Sequence, residues 1–371
     1  MLYNRNPSQH SRIPFVRAQS AFQFLLVLKI LNQRSTSGGC DSYLSKKEDD
    51  DVSPKFSIIT PSLNQGRFLK KCLASVQLQN WPDLEHFVID GGSQDETIQI
   101  LTESRSQLTA YVSEPDSGAA DAINKGLAMA TGDIVAWINA DDYYSAGAFE
   151  KIAEAWRSEP DAPFWFGNGE RVDEAGNFKS PFNDHPILYD RRALIEGTDY
   201  ILQPSTFMSG KVLRQIGGLN TALRWSFDWE LFIRLAEQGQ PVALNDSLSS
   251  TREWGETLTA TGSLKRIEEI RVMIERWSGK PLTYGTLCYH FDATLKEMQN
   301  RPEDFSARAV QSVENAWRAI QQDMMDNLPV DAGGMPKHQE KEKTDEGTPT
   351  PGIFTRAARQ GLRLANRLRE R

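Results

Sequence analysis

The chain has 371 residues, of which 39% are hydrophobic and 25% are charged, and its formal net charge is −8 at pH 7. This composition is that of a globular protein, and the acidic balance argues against nucleic acid as the main partner, because such a partner requires clustered Lys and Arg. The three cysteines, Cys40, Cys72 and Cys288, lie far apart without metal-binding spacing, so neither a zinc site nor a disulfide framework is predicted.

Residues 1–53 are predicted to form a largely disordered N-terminal extension. The apolar run at 21–31 is interrupted by polar residues and is shorter than the roughly 20 residues that cross a bilayer. It is typical of an amphipathic or disordered segment, and a processed signal peptide is the alternative. Residues 32–53 have linker composition, so the folded domain is expected to begin near Lys55.

Strand and helix patterns alternate over the next 80 or so residues, which is typical of repeated strand-helix-strand units. The predicted strands are 56–60, 85–89, 109–113 and 133–138, and the predicted helices are 67–79, 95–104 and 119–130. This alternation predicts an α/β fold with a doubly wound, mainly parallel sheet and flanking helices.

All four predicted strands end in polar loops that carry Gly or Asp. The loops are residues 61–66, 90–95, 114–118 and 139–142. Each loop alone is a weak signal, because turns favour these residue types. Ligands of doubly wound sheets bind at the carboxyl ends of the strands, so four such loops together predict a shared binding site.

The fourth loop carries an adjacent acidic pair, Asp141 and Asp142, in "WINADDYY". A solvated turn is one interpretation of this pair. The other is a site for a hard divalent cation such as Mn²⁺ or Mg²⁺, which prefers oxygen ligands and shares substrate phosphate oxygens. Glycines in the neighbouring loops permit close backbone approach, and together these features indicate a nucleoside-diphosphate ligand.

The second half of the chain is predicted to be mixed. Residues 164–178 are typical of a hairpin that turns at 174–177, and residues 228–240, 263–279 and 304–324 are typical of helices. These patterns divide the chain into an α/β domain, a helical region and a tail, and the predicted bounds are 54–260, 261–328 and 329–371.

The tail is predicted to contain a disordered stretch followed by a basic amphipathic segment. Residues 331–350 are rich in Gly, Lys, Glu, Thr and Pro. Residues 353–371 place apolar side chains at helical spacing among several arginines. This pattern favours a helix on an anionic membrane surface, and a basic solvated tail is the alternative.

Three stretches of the sequence resemble the family 2 glycosyltransferases of the GT-A fold. They are residues 56–97 with "PSLNQG" and "VIDGGS", residues 113–144 with "WINADD", and residues 203–235 with "QPSTF" and "FDWELFIRL". The motifs occur in the family's order and spacing, and the resemblance covers about residues 55–260. It implies a metal-dependent transferase that uses a nucleoside-diphosphate sugar.

The resemblance also implies roles for individual residues. The nucleotide-sugar-binding residues would be Pro61, Asn64, Asp90, Gly92, Asp116, Asn124, Lys125, Asn139 and Arg252. Asp141 would bind the metal with support from Asp142, and Asp228 would be the catalytic base. The acceptor-side residues would be Gln203, Ser205, Trp229 and Glu230.

The sequence departs from the family pattern at three positions. Gly91 follows Asp90 where the family usually has a second Asp, Asn139 replaces the first Asp of the D-x-D motif, and Trp254 stands where a His is frequent. The first two changes remove carboxylates from the donor site, and the third puts the role of the loop after Arg252 in doubt.

The expected reaction is transfer of a sugar to an acceptor hydroxyl with inversion, because the sequence offers one base, Asp228, and no clear second carboxylate as nucleophile. The acceptor would be a saccharide or a lipid-linked molecule of cell-surface polysaccharide or glycolipid synthesis. The expected location is cytoplasmic, as a peripheral protein on the inner membrane face. The alternatives are a metal-dependent nucleotidyltransferase and a non-catalytic sugar-nucleotide-binding protein.

Simpler structural roles remain open for three of these residues. Asp228 is also suited to capping the helix that is expected to begin at Trp229, and Asp95 to capping the helix that follows it. Arg252 is equally interpretable as an ordinary surface arginine.

Overall fold

The structure, a computed structural model, describes residues 53–301 and 303–326. The described residues up to Leu287 group into one compact unit, and the described residues from Cys288 onward belong to a second. The predicted domain bounds at residues 260 and 328 stay predictions. The N-terminal extension up to residue 52, the stretch 331–350 and the basic tail lie outside the described residues, and their assignments stay predictions.

The first part of the chain forms parallel strands joined by helices, as the sequence predicts. The strands are β1 (Phe56–Ser62), β2 (Leu84–Asp90), β3 (Ala110–Ser113) and β4 (Ile134–Trp137), and the helices are α1 (Gly66–Gln77), α2 (Thr97–Glu103) and α3 (Ala119–Met129). In the sheet these strands take the order β3-β2-β1-β4, all parallel. Their carboxyl ends consequently meet at one edge, where the four polar loops lie.

The sheet continues with strands of mixed direction. They are β5 (Tyr143–Tyr144), β6 (Phe164–Val172), β7 (Phe178–Pro181), β8 (Thr206–Ser209) and β9 (Val242–Arg252). Strand β8 is antiparallel to both β4 and β6, β9 runs parallel to β6, and β5 pairs antiparallel with β9. The β5–β9 pairing brings the end of β9 to the acidic loop after β4.

The predicted β6–β7 hairpin is confirmed. Its turn is closed by a hydrogen bond from the Gly176 N–H to the Asp173 carbonyl, 2.9 Å long, and Gly176 has a φ of +91°. Glycine suits this position because a side chain is strained at positive φ. The turn lies on the site side of the sheet, and its contacts there are described below.

The remaining helices surround the second half of the sheet. They are α4 (Ala148–Ser158), α5 (Arg191–Glu196), α6 (Gly210–Ile216), α7 (Phe227–Ala236), α8 (Leu258–Thr261), α9 (Ser263–Ser278), α10 (Tyr284–Asn300) and α11 (Ala307–Asp326). The helices predicted at 228–240, 263–279 and 304–324 are confirmed with shifted ends. Among the described helices, none combines the length and the apolar character that a membrane span requires.

The core is built from the apolar faces that the sequence pattern predicts. On α1 the buried side chains are Phe68, Leu69, Cys72, Leu73 and Val76, at helical spacing. On the sheet, Phe56 stacks on Phe149 with ring centroids 4.6 Å apart. Such packing fixes the helix starts and the strand ends relative to each other, so the loops between them have little freedom.

The amino ends of the strands, at the edge away from the polar loops, are joined by the carboxylate of Glu85. It accepts hydrogen bonds from the Ser57 hydroxyl at 2.5 Å and from the Thr131 N–H at 2.9 Å, and it pairs with Lys55 at 2.7 Å. Burial by itself raises the pKa of Glu85, but these donors outweigh burial and lower the pKa from 4.5 to about 2.

We expect Glu85 to contribute stability that is fully present above pH 4.5 and is lost as the pH falls toward about 2, because its pKa is lower in the folded state. The contribution should be roughly 3 kcal/mol at neutral pH. Urea denaturation from pH 7 to pH 3 would measure it. Glu85→Gln should remove much of the pH dependence, whereas Glu154→Gln on the exposed face of α4 should not. An equal dependence of the unfolding free energy on pH in the two variants would contradict this role of Glu85.

Candidate functional site

The acidic loop after β4 is held by hydrogen bonds to the end of β9. Asp142 is 3% exposed; its Oδ1 accepts the backbone N–H of Arg252 at 2.9 Å, and its Oδ2 accepts the side-chain amide of Asn139 at 3.2 Å. Asp141 is 7% exposed, and its Oδ2 accepts the indole N–H of Trp254 at 2.8 Å. The pair is therefore a built element of the fold, and the solvated-turn interpretation is wrong.

The two carboxylates lie in an environment that disfavours their negative charge. Burial and, next to it, the neighbouring charge of Asp141 raise the pKa of Asp142 to about 8. Burial also raises the pKa of Asp141, although the Trp254 N–H and the charges of Arg252 and Arg67 act in the opposite direction. The protein alone does not neutralise the negative charge of these two carboxylates. A cation bound at this loop would neutralise it and would therefore be stabilised there.

The fit of a metal differs between the two carboxylates. Mg²⁺ and Mn²⁺ are commonly held by one or two carboxylates together with substrate phosphates, and Asp141 fits the role of a single ligand. Asp142 is the more tightly held of the two, because each of its oxygens accepts a hydrogen bond, and its predicted support of the metal ligand stays a prediction. Within residues 53–301 and 303–326 no group of three or more His, Cys, Asp or Glu is placed to hold a metal ion.

Arg252 connects three parts of the chain, and the prediction of an ordinary surface arginine is wrong. The residue is 6% exposed. Its Nε donates to the carbonyl of Asp141 at 2.9 Å, and its Nη1 donates to the carbonyls of Asp173 and Glu174 at 3.2 and 2.6 Å. It thus joins β9, the acidic loop and the β6–β7 turn. Its predicted contact with the donor diphosphate stays a prediction.

Cations and aromatic rings alternate beside this loop, in an arrangement that sequence reasoning missed. The Arg67 guanidinium lies 4.4 Å from the ring centre of Trp254 and 4.5 Å from that of Phe68, and Lys71 Nζ lies 3.5 Å from that of Tyr143. We call these five residues the cation–aromatic cluster. The available signal was the i, i+4 spacing of Arg67 and Lys71 in the first turns of α1, with Tyr143 directly after the acidic pair.

The cluster also explains the departure at Trp254. Its ring supports Arg67 and packs edge-on against Phe68, with centroids 5.2 Å apart, while its N–H binds Asp141. The turn between β6 and β7 closes over the same cations, since Glu174 pairs with Arg67 at 2.7 Å. Positive charge is therefore concentrated beside the candidate metal ligand.

Asp90, at the end of β2, is fully buried and holds its own loop. Its Oδ2 accepts hydrogen bonds from the N–H groups of Gly92 and Ser93, at 3.1 and 2.9 Å, and from the Ser113 hydroxyl at 2.7 Å. Its Oδ1 accepts the Ser93 hydroxyl. Asp90 has no exposed surface, so its primary role is to shape the loop around Gly92. Direct contact with a nucleoside stays a prediction.

Gly91 leaves space for the carboxylate of Asp116. A Cβ at position 91 would lie 2.7 Å from Asp116 Oδ2, closer than real contacts permit. Asp116 is further fixed by the N–H of Gly118, which donates to its Oδ1 at 2.8 Å. The carboxylate that is missing at position 91 is thus replaced in space by one from the next strand end.

The other predicted donor-side residues border this edge with different roles. Pro61 is buried within β1, and Asn64 has a φ of +52° and accepts the Gln94 N–H at 2.8 Å. Lys125 pairs with Glu114 at 2.8 Å beside the β3 loop. These loops form one continuous edge.

Asn124 and Asp95 hold the edge in place. Both polar atoms of the Asn124 side chain bind the backbone of Leu219, at 2.8 and 2.9 Å, so the side chain ties α3 to the segment before α7. Asp95 accepts the N–H of Thr97, the first residue of α2, at 3.1 Å and that of Gly66 at 2.9 Å. Asp95 is predicted to cap α2; the N-cap residue is Glu96, and Asp95, one position earlier, binds the first N–H of the helix.

A second pair of carboxylates lies at the start of α7. The helix begins at Phe227 with Ser226 as its N-cap residue, so the interpretation of Asp228 as the N-cap is wrong. Asp228 is partly exposed, and its Oδ1 accepts the N–H of Trp229 at 2.8 Å. Asp199, which precedes "QPS" and was missed by sequence reasoning, interacts electrostatically with Asp228.

The surroundings of this pair favour a proton acceptor. Burial raises the pKa of Asp228, against the Trp229 N–H and the charge of Arg266, which lower it. Burial likewise raises the pKa of Asp199 well above its usual range, and the charge of Asp228 raises it further. A carboxylate that is reachable by solvent and has a raised pKa is suited to general base catalysis near neutral pH.

The predicted acceptor-side residues are mostly buried. Gln203 is 8% exposed and Ser205 and Trp229 are 0% and 2% exposed, so the last two offer no surface to an acceptor. Their polar atoms are used internally: Ser205 Oγ donates to the Asn168 carbonyl at 2.7 Å, and Trp229 Nε1 donates to the Leu194 carbonyl at 2.7 Å. Their hydroxyl and indole groups therefore serve the fold.

Glu230 is the fourth residue of this set and lines a cavity. Its carboxylate binds Arg234 through both oxygens, at 2.9 and 3.0 Å. The cavity has a volume of about 480 Å³, and its lining residues are Gly218, Asn220, Glu230, Arg234, Arg276 and Trp277. Pockets of this size accommodate small-molecule ligands, and this one adjoins the helix that carries Asp228.

Gln203 connects the acidic loop to the second carboxylate pair. Its Oε1 accepts the Asn139 amide at 3.2 Å, and its Nε2 donates to the Trp137 carbonyl at 2.8 Å. Four residues earlier, Asp199 accepts the N–H of Ile201 at 3.3 Å. Asn139 therefore acts as a neutral linker, which explains why it is not a carboxylate.

Comparison with known proteins agrees with this arrangement. Residues 57–213 match the family described as glycosyl transferase family 2. The chain is 28% identical over 195 residues to an uncharacterized glycosyltransferase of Mycobacterium tuberculosis, covering 52% of this chain and 72% of that protein. It is 29% identical over 245 residues to a PGL/p-HBAD biosynthesis glycosyltransferase of Mycobacterium bovis, covering 61% of this chain and 92% of that protein.

Among solved structures, the fold is similar to that of the mannosyltransferase PcManGT from Pyrobaculum calidifontis, solved in complex with GDP-Man and Mn²⁺. The TM-score is 0.50 at 16% sequence identity, over 82% of this chain and 86% of that one. At this identity the likeness concerns the fold alone. It supports the predicted doubly wound sheet with flanking helices.

Arg252→Lys should destabilise the protein although it keeps the charge, because an ammonium group cannot bind the carbonyls of Asp141, Asp173 and Glu174 in the same geometry. We expect a loss of roughly 2–4 kcal/mol in the free energy of unfolding by urea. Arg67→Lys, at a side chain that is 48% exposed, should change it by less than about 0.5 kcal/mol. Equal losses would contradict the bridging role of Arg252.

Proposed function

Because this chain is a family 2 glycosyltransferase of the GT-A fold, we propose that it transfers a sugar from a nucleoside-diphosphate donor to an acceptor hydroxyl with inversion. The observation that carries the proposal is the pairing of two sites. A partly exposed Asp228 with a raised pKa lies in the same compact unit as the acidic loop, connected to it through Asp199 and Gln203. Acid–base chemistry and binding of a leaving diphosphate are thereby available together.

The donor nucleotide would bind along the loops that follow the first three strands. Asp90 holds the loop around Gly92, Asn64 holds the loop after β1, and Asp116 offers its carboxylate beside Gly91. We assign to Asp116 the nucleoside contact that the family makes from position 91. Lys125 adds a positive charge at the same edge.

The diphosphate would lie between Asp141 and the cation–aromatic cluster. GT-A glycosyltransferases commonly use a divalent metal, and here Mn²⁺ or Mg²⁺ held by Asp141 would neutralise charge on the leaving diphosphate. Arg67 and Lys71 lie on the first turns of α1 next to this carboxylate and would add positive charge. Asn139 and Asp142 would keep the loop in position.

The chemical step would be carried by Asp228. It would remove the proton of the acceptor hydroxyl as that oxygen attacks the anomeric carbon, and the diphosphate would leave on the opposite side. A single displacement of this kind inverts the anomeric configuration. Asp199 would be the protonated member of the pair when Asp228 is ionised, because burial and the charge of Asp228 raise the pKa of Asp199 well above its usual range.

The acceptor would approach from the side of α7. Ser205 and Trp229 are too buried to touch it, so we assign them to the wall of the site, and Glu230 and Trp277 line the neighbouring cavity. A saccharide or a lipid-linked saccharide is the acceptor class that we propose, since the relative from Mycobacterium bovis acts in PGL/p-HBAD biosynthesis. Peripheral membrane contact through residues 353–371 remains part of this proposal.

Asp228→Asn should reduce turnover by at least about 10³-fold, because the amide cannot accept the acceptor proton. Donor affinity, measured by calorimetry with UDP- and GDP-sugars, should change less than about twofold because the base does not hold the nucleotide. NMR of the wild-type product should show the anomeric configuration opposite to that of the donor.

The matched control is Asp246→Asn, at a carboxylate that pairs with Lys151 and is 46% exposed. It should keep wild-type turnover. A product with the donor's configuration would contradict inversion, and an active Asp228→Asn enzyme would exclude this residue as the base. A donor that binds without any transfer or hydrolysis in the wild type would favour a non-catalytic binding protein.

Asp141→Asn should raise the Mn²⁺ concentration that half-activates the enzyme by about tenfold or more, because the amide oxygen carries no charge. It should still accept the Trp254 N–H and fold normally. Turnover would be measured against Mn²⁺ after treatment with EDTA, and the thermal shift with UDP and Mn²⁺ gives a readout without turnover. Wild-type enzyme that is indifferent to EDTA would exclude the metal.

A further inference from the structure

We propose that Glu269, on α9, is a positioning residue for the catalytic Asp228, and this inference rests on the proposed function. The Glu269 carboxylate receives the segment that leads into α7. Its Oε2 accepts the N–H of Arg224 at 2.8 Å, and its Oε1 accepts the N–H groups of Trp225 and Ser226, both at 2.8 Å. The Ser226 hydroxyl also donates to Oε1, at 2.9 Å.

Four donors on one carboxylate fix the residues just before this helix. The first N–H groups of a helix lack partners within it, and a side chain at the N-cap position commonly satisfies one of them. Ser226 is the N-cap residue of α7, yet its side chain makes no capping hydrogen bond and donates instead to Glu269. The entry to α7 is therefore fixed from 43 residues downstream.

The fixed segment ends two residues before Asp228. A shift of Ser226 would move the first turn of α7, and with it the direction in which the Asp228 carboxylate meets the acceptor. Rigid placement of a base matters because a displacement of about 1 Å lowers rates strongly. Other elements hold the rest of this helix, since Trp229 donates to the carbonyl of Leu194 on α5 and Arg234 donates to the carbonyls of Ile216 and Gly218. Glu269 holds the segment that enters the helix.

Charged side chains of helix α9 also act on the Asp228 carboxylate. The charged groups that act on Asp228 are Arg266 and Glu269 of α9, and Asp199 from the segment before "QPS". The Arg266 charge lowers the pKa of Asp228, and the Glu269 charge raises it. Glu269 lies three residues after Arg266, on the same face of the helix. Removing the Glu269 charge should thus lower the pKa of Asp228.

Glu269→Gln tests both effects in the full-length enzyme. An amide has one acceptor oxygen, and its NH₂ group cannot accept a hydrogen bond from a backbone N–H. The segment 224–226 should therefore lose part of the hydrogen bonds that fix it. We expect kcat to fall by about 10- to 100-fold with a donor KM within about twofold of wild type. The acid limb of the kcat profile should move to lower pH.

Glu269→Asp separates position from charge, because it keeps the charge on a side chain one methylene shorter. The kcat of Glu269→Asp should fall. The acid limb of its pH profile should lie nearer to that of the wild type than the acid limb of Glu269→Gln does. The control is Glu268→Gln, the neighbouring carboxylate on α9, which pairs with Arg271 and is 57% exposed. That variant should match wild type in kcat and in pH profile.

The outcomes separate this inference from the proposed function. An inactive Asp228→Asn enzyme together with wild-type kcat in Glu269→Gln would overturn the positioning role alone. A parallel loss of donor affinity, thermal stability and kcat in both Glu269 variants, with no movement of the acid limb, would reduce Glu269 to a structural residue. If Glu269→Gln does not fold, Glu269→Asp alone tests the positioning role. A lower kcat with an unchanged donor KM would support that role, and equal changes in both would contradict it. An active Asp228→Asn enzyme would remove the basis of both.

Discussion

The site depends on the tie between the acidic loop and the end of β9. Asp142 accepts the Arg252 backbone N–H, and the Arg252 side chain returns to the carbonyl of Asp141, so each segment fixes the other. Both partners are buried, where an unsatisfied charge is strongly unfavourable, and the loop consequently has few alternative conformations. Asp141 can be presented as a ligand because its neighbour is used entirely for structure.

This division of labour recurs across the site. Asp90 fixes a loop while Asp116 is left partly exposed, and Glu269 fixes a helix entry while Asp228 is left partly exposed. In each case a carboxylate saturated with N–H and hydroxyl donors lies beside one that is free to act. Preorganisation of this kind reduces the rearrangement that binding and catalysis require, since the supporting bonds are already made.

The sequence predicted the parallel strands, the shared edge and the hairpin, because those follow from local periodicity and turn residues. It assigned different roles to Asp141 and Asp142 only through the family resemblance, since their contacts with Arg252 and Trp254 lie more than 100 positions away in the chain. Burial of Ser205 was equally hidden, because the polar residue of a motif gives no sign of whether its hydroxyl faces solvent or the core. Long-range contacts therefore decide which motif residues act and which support.

The departures from the family pattern are coupled to these contacts. A Cβ at position 91 would lie 2.7 Å from Asp116 Oδ2, so a larger residue there would have to displace the Asp116 carboxylate. Asn139 donates to both Asp142 and Gln203, which an aspartate at that position could not do without a proton. Restoring the family's carboxylate at either position alone would consequently bring it against an existing carboxylate or amide oxygen. Position 91 is thus coupled to Asp116, and Asn139 to Asp142, through direct contacts, so a substitution at one position is best interpreted together with its partner.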